Sequence, residues 1–243
     1  MNDLERPPPV TNQPRPANKI LAALPDEEFE SLRPKLREIA LELGEIIYRP
    51  EQEIEYAYFV NDGIVSWLAT LEDGSTVEAG IIGPEGVAGF SLILGATSTP
   101  NEGLIQSDVS ASRISADDLR TEFRKNGKLS QLMLRFVHSM FIQVAQTAAC
   151  NRLHTLDQRL ARWLLMTDDR INGNRIQLTQ EFLSRMLGVR RAGVSVAASS
   201  LRQQGLIEYH RGDIVITDRR TMETVSCECY EIVKREYDEY VPS

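Results

Sequence analysis

Residues 178–216 read LTQEFLSRMLGVRRAGVSVAASSLRQQGLIEYHRGDIVI, two short amphipathic stretches parted by a glycine and followed by two alternating apolar runs. Thr179 is placed to cap the first helix, and Glu181 puts a carboxylate in its first turn, where the helix dipole favours negative charge. Phe182, Leu183, Met186 and Leu187 supply an apolar face, and Gly188 breaks the helix at the tight turn between two crossing helices. A second helix is predicted over residues 190–203, burying Val194, Ala197, Ala198 and Leu201 and stopping at Gly205. Ile207, Glu208 and Tyr209 then alternate into His210-Arg211-Gly212-Asp213 and out through Ile214, Val215 and Ile216, the pattern of a hairpin with a basic tip. Two helices and a hairpin predict a winged helix-turn-helix.

A helical hairpin packed on any small sheet shows the same periodicity, so charge has to separate the two readings. The whole chain is acidic, with a net charge of -8. Within residues 178–220, however, Arg185, Arg190, Arg191, Arg202, Arg211, Arg219 and Arg220 outnumber Glu181, Glu208, Asp213 and Asp218. A basic module inside an acidic protein is the electrostatic footprint of phosphate binding. The outer face of the second helix is left with Arg190, Arg191, Ser195, Ser199 and Arg202.

At 243 residues the chain has room for two cores. Residues 1–18 are rich in proline and polar side chains and lack the apolar stretch of a signal peptide, so they read as a disordered lead. No apolar run approaches the ~18 residues of a membrane span, and a cytoplasmic location without membrane contact is expected. The three cysteines, Cys150, Cys227 and Cys229, are too few and odd in number for a disulfide framework. With His154 they offer metal-ligand chemistry, but the two groups lie far apart and match no standard zinc spacing. Buried, unreactive thiols are therefore expected, with no metal and no cofactor.

From residue 44 to about 115 the period changes to two. Tyr56, Tyr58 and Val60 alternate with Ala57 and Phe59 before Asn61-Asp62-Gly63, which offers a hairpin turn. Val65, Trp67, Ala69 and Leu71 share a face of the next strand, Asp73-Gly74 turns the chain, and residues 76–82 form a third strand ending at Gly83-Pro84. Val109, Ala111 and Ile114 suggest a closing strand ahead of a helix at Asp117-Asp118, so a small antiparallel barrel or roll is predicted. Glu72, Asp73 and Glu78 read as solvated residues at a hairpin tip.

Residues 128–151 then carry Leu129, Leu132, Met133, Phe136, Val137, Met140, Phe141, Val144 and Ala148 at helical spacing, with no formal charge between Arg135 and Arg152. So apolar a helix needs more cover than one face of a small barrel. A parallel two-helix dimer seam through Leu129, Met133, Phe136, Met140 and Val144 is expected, the other arrangement being burial inside one subunit. No phosphate-binding P-loop, Gly-x-Ser-x-Gly elbow or triad-like arrangement of His138, His154 and His210 is present, so the chain is not expected to be an enzyme.

A roll, a long apolar helix and a winged helix in this order resemble the CRP/FNR superfamily of bacterial transcription regulators over about residues 20–225. Residues 178–188, followed by Arg191, Val194, Leu201 and Gly205-Leu206-Ile207, look like the family's helix-turn-helix. Gly63 and residues 83–89 look like the turn glycines of its cyclic-nucleotide-binding roll, and the Cys150 to His154 and Cys227 to Tyr230 elements resemble a branch whose effectors are largely unassigned. The resemblance implies an α+β fold: an N-terminal antiparallel β-roll of the double-stranded β-helix, jelly-roll type, a long dimerisation helix and a C-terminal winged helix-turn-helix. The corresponding boundaries are a lead at 1–18, the roll at 19–126, the helix at 127–151, the winged helix at 152–225 and a helical tail at 226–243.

It also implies a homodimer on double-stranded DNA, reading a pseudo-palindromic operator with half-sites about 34 Å apart, and RNA polymerase as a further partner. Arg191 matches the family's arginine at the start of the recognition helix, suited to guanine or phosphate. Ala192 and Val196 stand where many members carry an acidic residue and a second arginine, which shifts the expected code towards thymine methyls, with Arg190 and Arg202 on phosphates. Thr179, Gln180, Ser195, Ser199, His210 and Arg211 complete the expected contact set.

In nucleotide-binding members a Gly-Glu pair and a later arginine hold the cyclic phosphate; the matching places here read Gly89-Phe90 and Thr99-Pro100, and no lysine or arginine lies between Arg49 and Arg113. Cyclic AMP is therefore not expected as the effector, and Glu85-Gly86 reads as a turn. Three roles stay open for the roll: an apolar or neutral ligand in an effector pocket near Phe59, Trp67, Ile82, Val87 and Phe90, transmission of a partner's signal, or a passive dimer scaffold. No cysteine precedes Cys150 and no histidine lies in the roll, which argues against an N-terminal iron-sulfur cluster and against haem ligated there. The alternative function is a ligand-sensing or protein-interaction module whose winged helix contacts a protein; a shallow salt dependence would distinguish it.

Overall fold

The computed structural model describes residues 15–171, 175–210 and 212–240, and of His210 only the backbone. Arg211 and residues 1–14 of the expected lead lie outside the described residues. The last part of that lead is ordered: Asn18 is fully buried, caps α1 (Lys19–Ala22) and donates its amide to the carbonyls of Val60 and Gly86 at 2.9 and 2.8 Å. A side chain that bonds five backbone groups, the Pro84 carbonyl and the Ile20 and Leu21 amides among them, fixes the entry of the chain. A second short helix, α2 (Asp26–Leu32), buries Phe29 and Leu32.

Two four-stranded antiparallel sheets form the roll. One runs β1 (Arg37–Leu41), β8 (Val109–Ser115), β3 (Tyr56–Asp62), β6 (Val87–Ala88); the other runs β2 (Ile46–Tyr48), β7 (Asn101–Ile105), β4 (Val65–Thr70), β5 (Thr76–Ile82). The expected antiparallel roll is therefore present, but Asn61-Asp62-Gly63 is not a hairpin: β3 and β4 belong to different sheets. Gly63 takes φ 87°, and a Cβ there would lie 2.2 Å from the Asp108 carbonyl, so the glycine permits a close crossing between sheets. Asp73-Gly74 does join a hairpin, with Thr70 opposite Thr76. Alternation breaks at a bulge, where Trp67 pairs with Gly80 and Leu68 with Glu78, leaving Ala79 unmatched.

Helix α3 (Ala116–Arg124), capped by Ser115, closes the roll and leads into α4 (Lys128–Leu153). The expected dimer seam is corrected here. Leu129, Met133, Phe136 and Met140 are buried in the chain's own core and Val144 is half-buried. Much of the extra cover comes from the tail: α9 (Cys229–Tyr240) lies against α4 with Tyr230, Val233 and Tyr237 buried. Gln143 ties the layers together, exchanging hydrogen bonds with the backbone of Ile81 and donating to the Tyr237 hydroxyl at 2.7 Å.

The C-terminal unit begins with α5 (Leu156–Asp168), whose start is a reciprocal capping box between Thr155 and Gln158. It continues through β9 (Ile176–Gln177), α6 (Gln180–Leu187), α7 (Arg191–Gln203), the hairpin β10 (Ile207–His210) and β11 (Asp213–Ile216), and α8 (Arg219–Val225). The three short strands form one sheet in the order β10, β11, β9. Among the described residues, no helix is long and apolar enough to cross a membrane.

Candidate nucleic-acid interface

Thr179 caps α6 as its position predicts, accepting from the Phe182 amide at 3.1 Å. Leu183, Met186 and Leu187 are buried, and Gly188 adopts φ 61°, a left-handed conformation that lets α6 stop at once. Helix α7 buries Val194, Ala197, Ala198 and Leu201 against its neighbours. The alternation of apolar and polar positions leaves Arg191, Ala192, Val196, Ser199 and Arg202 exposed along its other side, with Arg190 exposed at its N-cap. Among the described residues no ion pair engages Arg190, Arg191 or Arg202, and Val196 is 70% exposed. Three guanidinium groups and an uncovered valine thus share one helix.

The two helices are registered to each other by Ser195, whose hydroxyl lies 2.6 Å from Gln180 Oε1. Thr179 is exposed beside them and Gln180 is half-buried. The hairpin is held to the start of α6 by the Leu178 amide, which donates to the Gly212 carbonyl at 2.6 Å, and by the Tyr209 hydroxyl on the Leu178 carbonyl. Of the expected contact set, Arg211 and the side chain of His210 lie outside the described residues.

The unit is fastened to the roll by Glu78 and Glu85, for which the sequence pattern offered only turn positions. Glu78, expected to be a solvated turn residue, is instead only 7% exposed. It accepts from the Ser66 hydroxyl at 2.7 Å and from the Trp163 indole at 2.7 Å. Burial pushes its carboxyl up to about 7, opposed by those two hydrogen bonds and by the charges of Arg162 and Arg170. Glu85 does sit in a turn, with the Gly86 amide on the Gly83 carbonyl at 2.9 Å, but its carboxylate is also paired with buried Arg170 at 2.6 Å. A carboxylate so engaged is not free to hold a ribose.

Within the roll, Phe59, Ile82 and Val87 are fully buried core residues. Phe90 sits edge-on to Trp67 at 5.2 Å and to Phe136 at 6.0 Å, linking the roll's interior to α4. The flanking cations are occupied elsewhere: Arg113 lies over the Tyr56 ring at 4.2 Å, and exposed Arg49 faces Glu102. Cys150, His154, Cys227 and Cys229, two groups far apart in sequence, are brought together, because the turn between α8 and α9 folds back onto the end of α4.

An antiparallel roll joined by a long helix to a winged helix-turn-helix defines a two-part regulator, one part a sensor-type roll and the other a helix-turn-helix. Residues 38–126 match the model of the cyclic nucleotide-binding domain, and residues 158–225 match that of the Crp-like helix-turn-helix domain. The chain belongs to the CRP/FNR family of transcription regulators. No curated protein matches its sequence. Its fold is similar to that of a Crp/Fnr-family transcriptional regulator of Eubacterium rectale, at 17% identity and TM-score 0.67, covering 85% of this chain and 96% of that one. It is also similar to FixK2 of Bradyrhizobium japonicum, at 20% identity and TM-score 0.66, covering 79% and 98%. A third similar structure is the c-di-GMP responsive global regulator CLP of Xanthomonas campestris, at 16% identity and TM-score 0.62, covering 80% and 100%.

Proposed function

We propose that this regulator binds a pseudo-palindromic operator in double-stranded DNA as a homodimer, with α7 in the major groove. The observation that carries the reading is the exposed side of α7, where Arg190, Arg191 and Arg202 have no ion-pair partner among the described residues. Arg191, in the first turn, has the planar fork that matches guanine O6 and N7, and Ala192 and Val196 present methyl groups of the kind that meet thymine. Arg190 and Arg202 flank them as phosphate contacts.

The second copy is placed on the side of α4 that the chain leaves uncovered. Leu134, Phe141, Ala145, Ala148 and Arg152 are exposed and recur at spacings of seven, four, three and four residues, the heptad repeat of a two-helix seam. The effector is proposed to be something other than cyclic AMP, since the roll's interior is lined by Phe59, Ile82 and Val87 and its nearest cations are engaged. Contact with RNA polymerase belongs to the same proposal, through the roll or the hairpin.

Selection of binding sites from random duplex DNA by the purified protein, at one stated salt concentration, tests the reading. A two-fold motif with half-sites about 34 Å apart is expected, with affinity falling in salt at a log-log slope near -0.9 per phosphate neutralised. A folded dimer that enriches no motif and shows no such slope would overturn it.

A further inference from the structure

Four side chains that form no part of the exposed face of α7 converge where α4 ends. Cys150 lies in the last turn of α4, His154 follows at its C-cap, and Cys227 and Cys229 bracket the turn from α8 into α9. Their ligand atoms all lie within 4.8 Å of one another. Cys150 Sγ is 3.4 Å from Cys227 Sγ, and Cys229 Sγ is 3.7 Å from His154 Nδ1. We infer that Cys150, His154, Cys227 and Cys229 form a four-coordinate site for a zinc-class divalent ion.

Three features of the site support this chemistry. A tetrahedral ion with metal-sulfur bonds of about 2.3 Å sets its ligands about 3.7 Å apart, close to both separations here. A cubane iron-sulfur cluster hangs each cysteine from a different iron and needs a wider cage. The histidine is also held for the task. Its Nε2 lies 3.3 Å from the carboxylate of Glu228, the residue between the two tail cysteines, so Nδ1 is the nitrogen turned towards the thiols. A carboxylate behind a ligating imidazole fixes its tautomer and raises its basicity.

Charge points the same way. Three thiolates, a neutral imidazole and a divalent cation leave one net negative charge. Arg162, buried nearby, donates to the Thr147 hydroxyl at 2.9 Å but has an Nε without a hydrogen-bond partner. Thr147 lies one turn before Cys150 on α4, so an anionic centre at the thiols would offset a buried guanidinium close by. The ion would staple the end of α4 to the start of α9, at the joint from which α5 departs.

The test is metal analysis of the full chain, purified without a metal-binding tag. About one equivalent of zinc per chain is expected, lost in Cys227→Ser and in Cys229→Ser and retained in His154→Cys, which keeps a ligand. Cobalt loaded into the unmutated protein should show thiolate charge-transfer absorption and the intense visible bands of a tetrahedral centre, a readout independent of whether a variant folds. Folded protein that takes up neither ion, a Cys150–Cys227 disulfide as the native state, or iron with acid-labile sulfide would each overturn the inference.

Discussion

The Trp163 indole N–H donates to Glu78 Oε1 at 2.7 Å, so the first helix of the C-terminal unit hangs from a carboxylate in the middle of a roll strand. Roll and winged helix therefore share a hydrogen-bonded group that titrates. Its carboxyl is pushed from 4.5 up to about 7 by burial, so the folded protein binds the proton more tightly than the unfolded chain does. Stability from this group is complete below the unfolded value of about 4.5 and is lost as pH rises through about 7. The shift corresponds to about 3 kcal/mol. Thermal unfolding between pH 5 and 8 should show a decline that Glu78→Gln abolishes, since the amide does not charge: its oxygen accepts from Trp163 and its NH2 donates to the Ser66 hydroxyl, which in turn donates to Gln106. An equal decline in the variant would assign the effect elsewhere.

Arg191→Ala should lower discrimination between the selected operator and its single-base variants by about 1–3 kcal/mol at one position of each half-site. Arg202→Ala should weaken all sequences alike and reduce the salt slope by about 1, as a phosphate contact does. Gel shifts over a salt series separate the two behaviours. Unchanged sequence preference in Arg191→Ala would remove that residue from base reading.

Local signals were legible wherever the determinant was local. Thr179, Gly188 and the buried stripe Val194, Ala197, Ala198, Leu201 place α6 and α7 within a residue or so, because caps and periodicity act over a single turn. The run at residues 76–82 coincides with β5. Failures came where a distant segment decided. A glycine at φ 87° serves a hairpin and a crossing between sheets equally, so Gly63 did not reveal which. Periodicity showed that α4 is apolar on more than one side, but not that Tyr230, Val233 and Tyr237 of the tail cover one of them. Glu78 was misread because a charged residue near a turn is usually solvated, and only Ser66 and Trp163 in space explain its burial. Cys150 and Cys227 are separated by 77 residues, a distance over which spacing rules say nothing.

Glu85 and Arg170 give a second handle on the same junction. Both side chains are under 9% exposed, and Arg170 also lies 5.2 Å from the Tyr237 ring, so the roll, the segment just after α5 and the tail meet at one ion pair. Removing one partner strands a buried charge and should cost about 3–5 kcal/mol, whereas replacing both with apolar residues of similar volume should recover most of it. Arg170→Met alone, Glu85→Leu alone and the double variant, compared by denaturant unfolding, form the test. Additive losses in the double variant would show that the pair is not coupled.

The two sides of α4 separate subunit assembly from folding. Phe141 is 66% exposed and Leu134 50%, with no helix among the described residues covering them, while Met133 and Phe136 on the other side are fully buried. Phe141→Glu places a charge in the proposed seam without touching the core, so sedimentation should report a monomer with unchanged unfolding cooperativity and much weaker operator binding. Met133→Ala empties a core position instead and should cost about 2–5 kcal/mol while the dimer persists at concentrations well above its dissociation constant. If Phe141→Glu remains dimeric and Met133→Ala dissociates, the second copy is held by another surface, and the uncovered stripe on α4 has a different occupant.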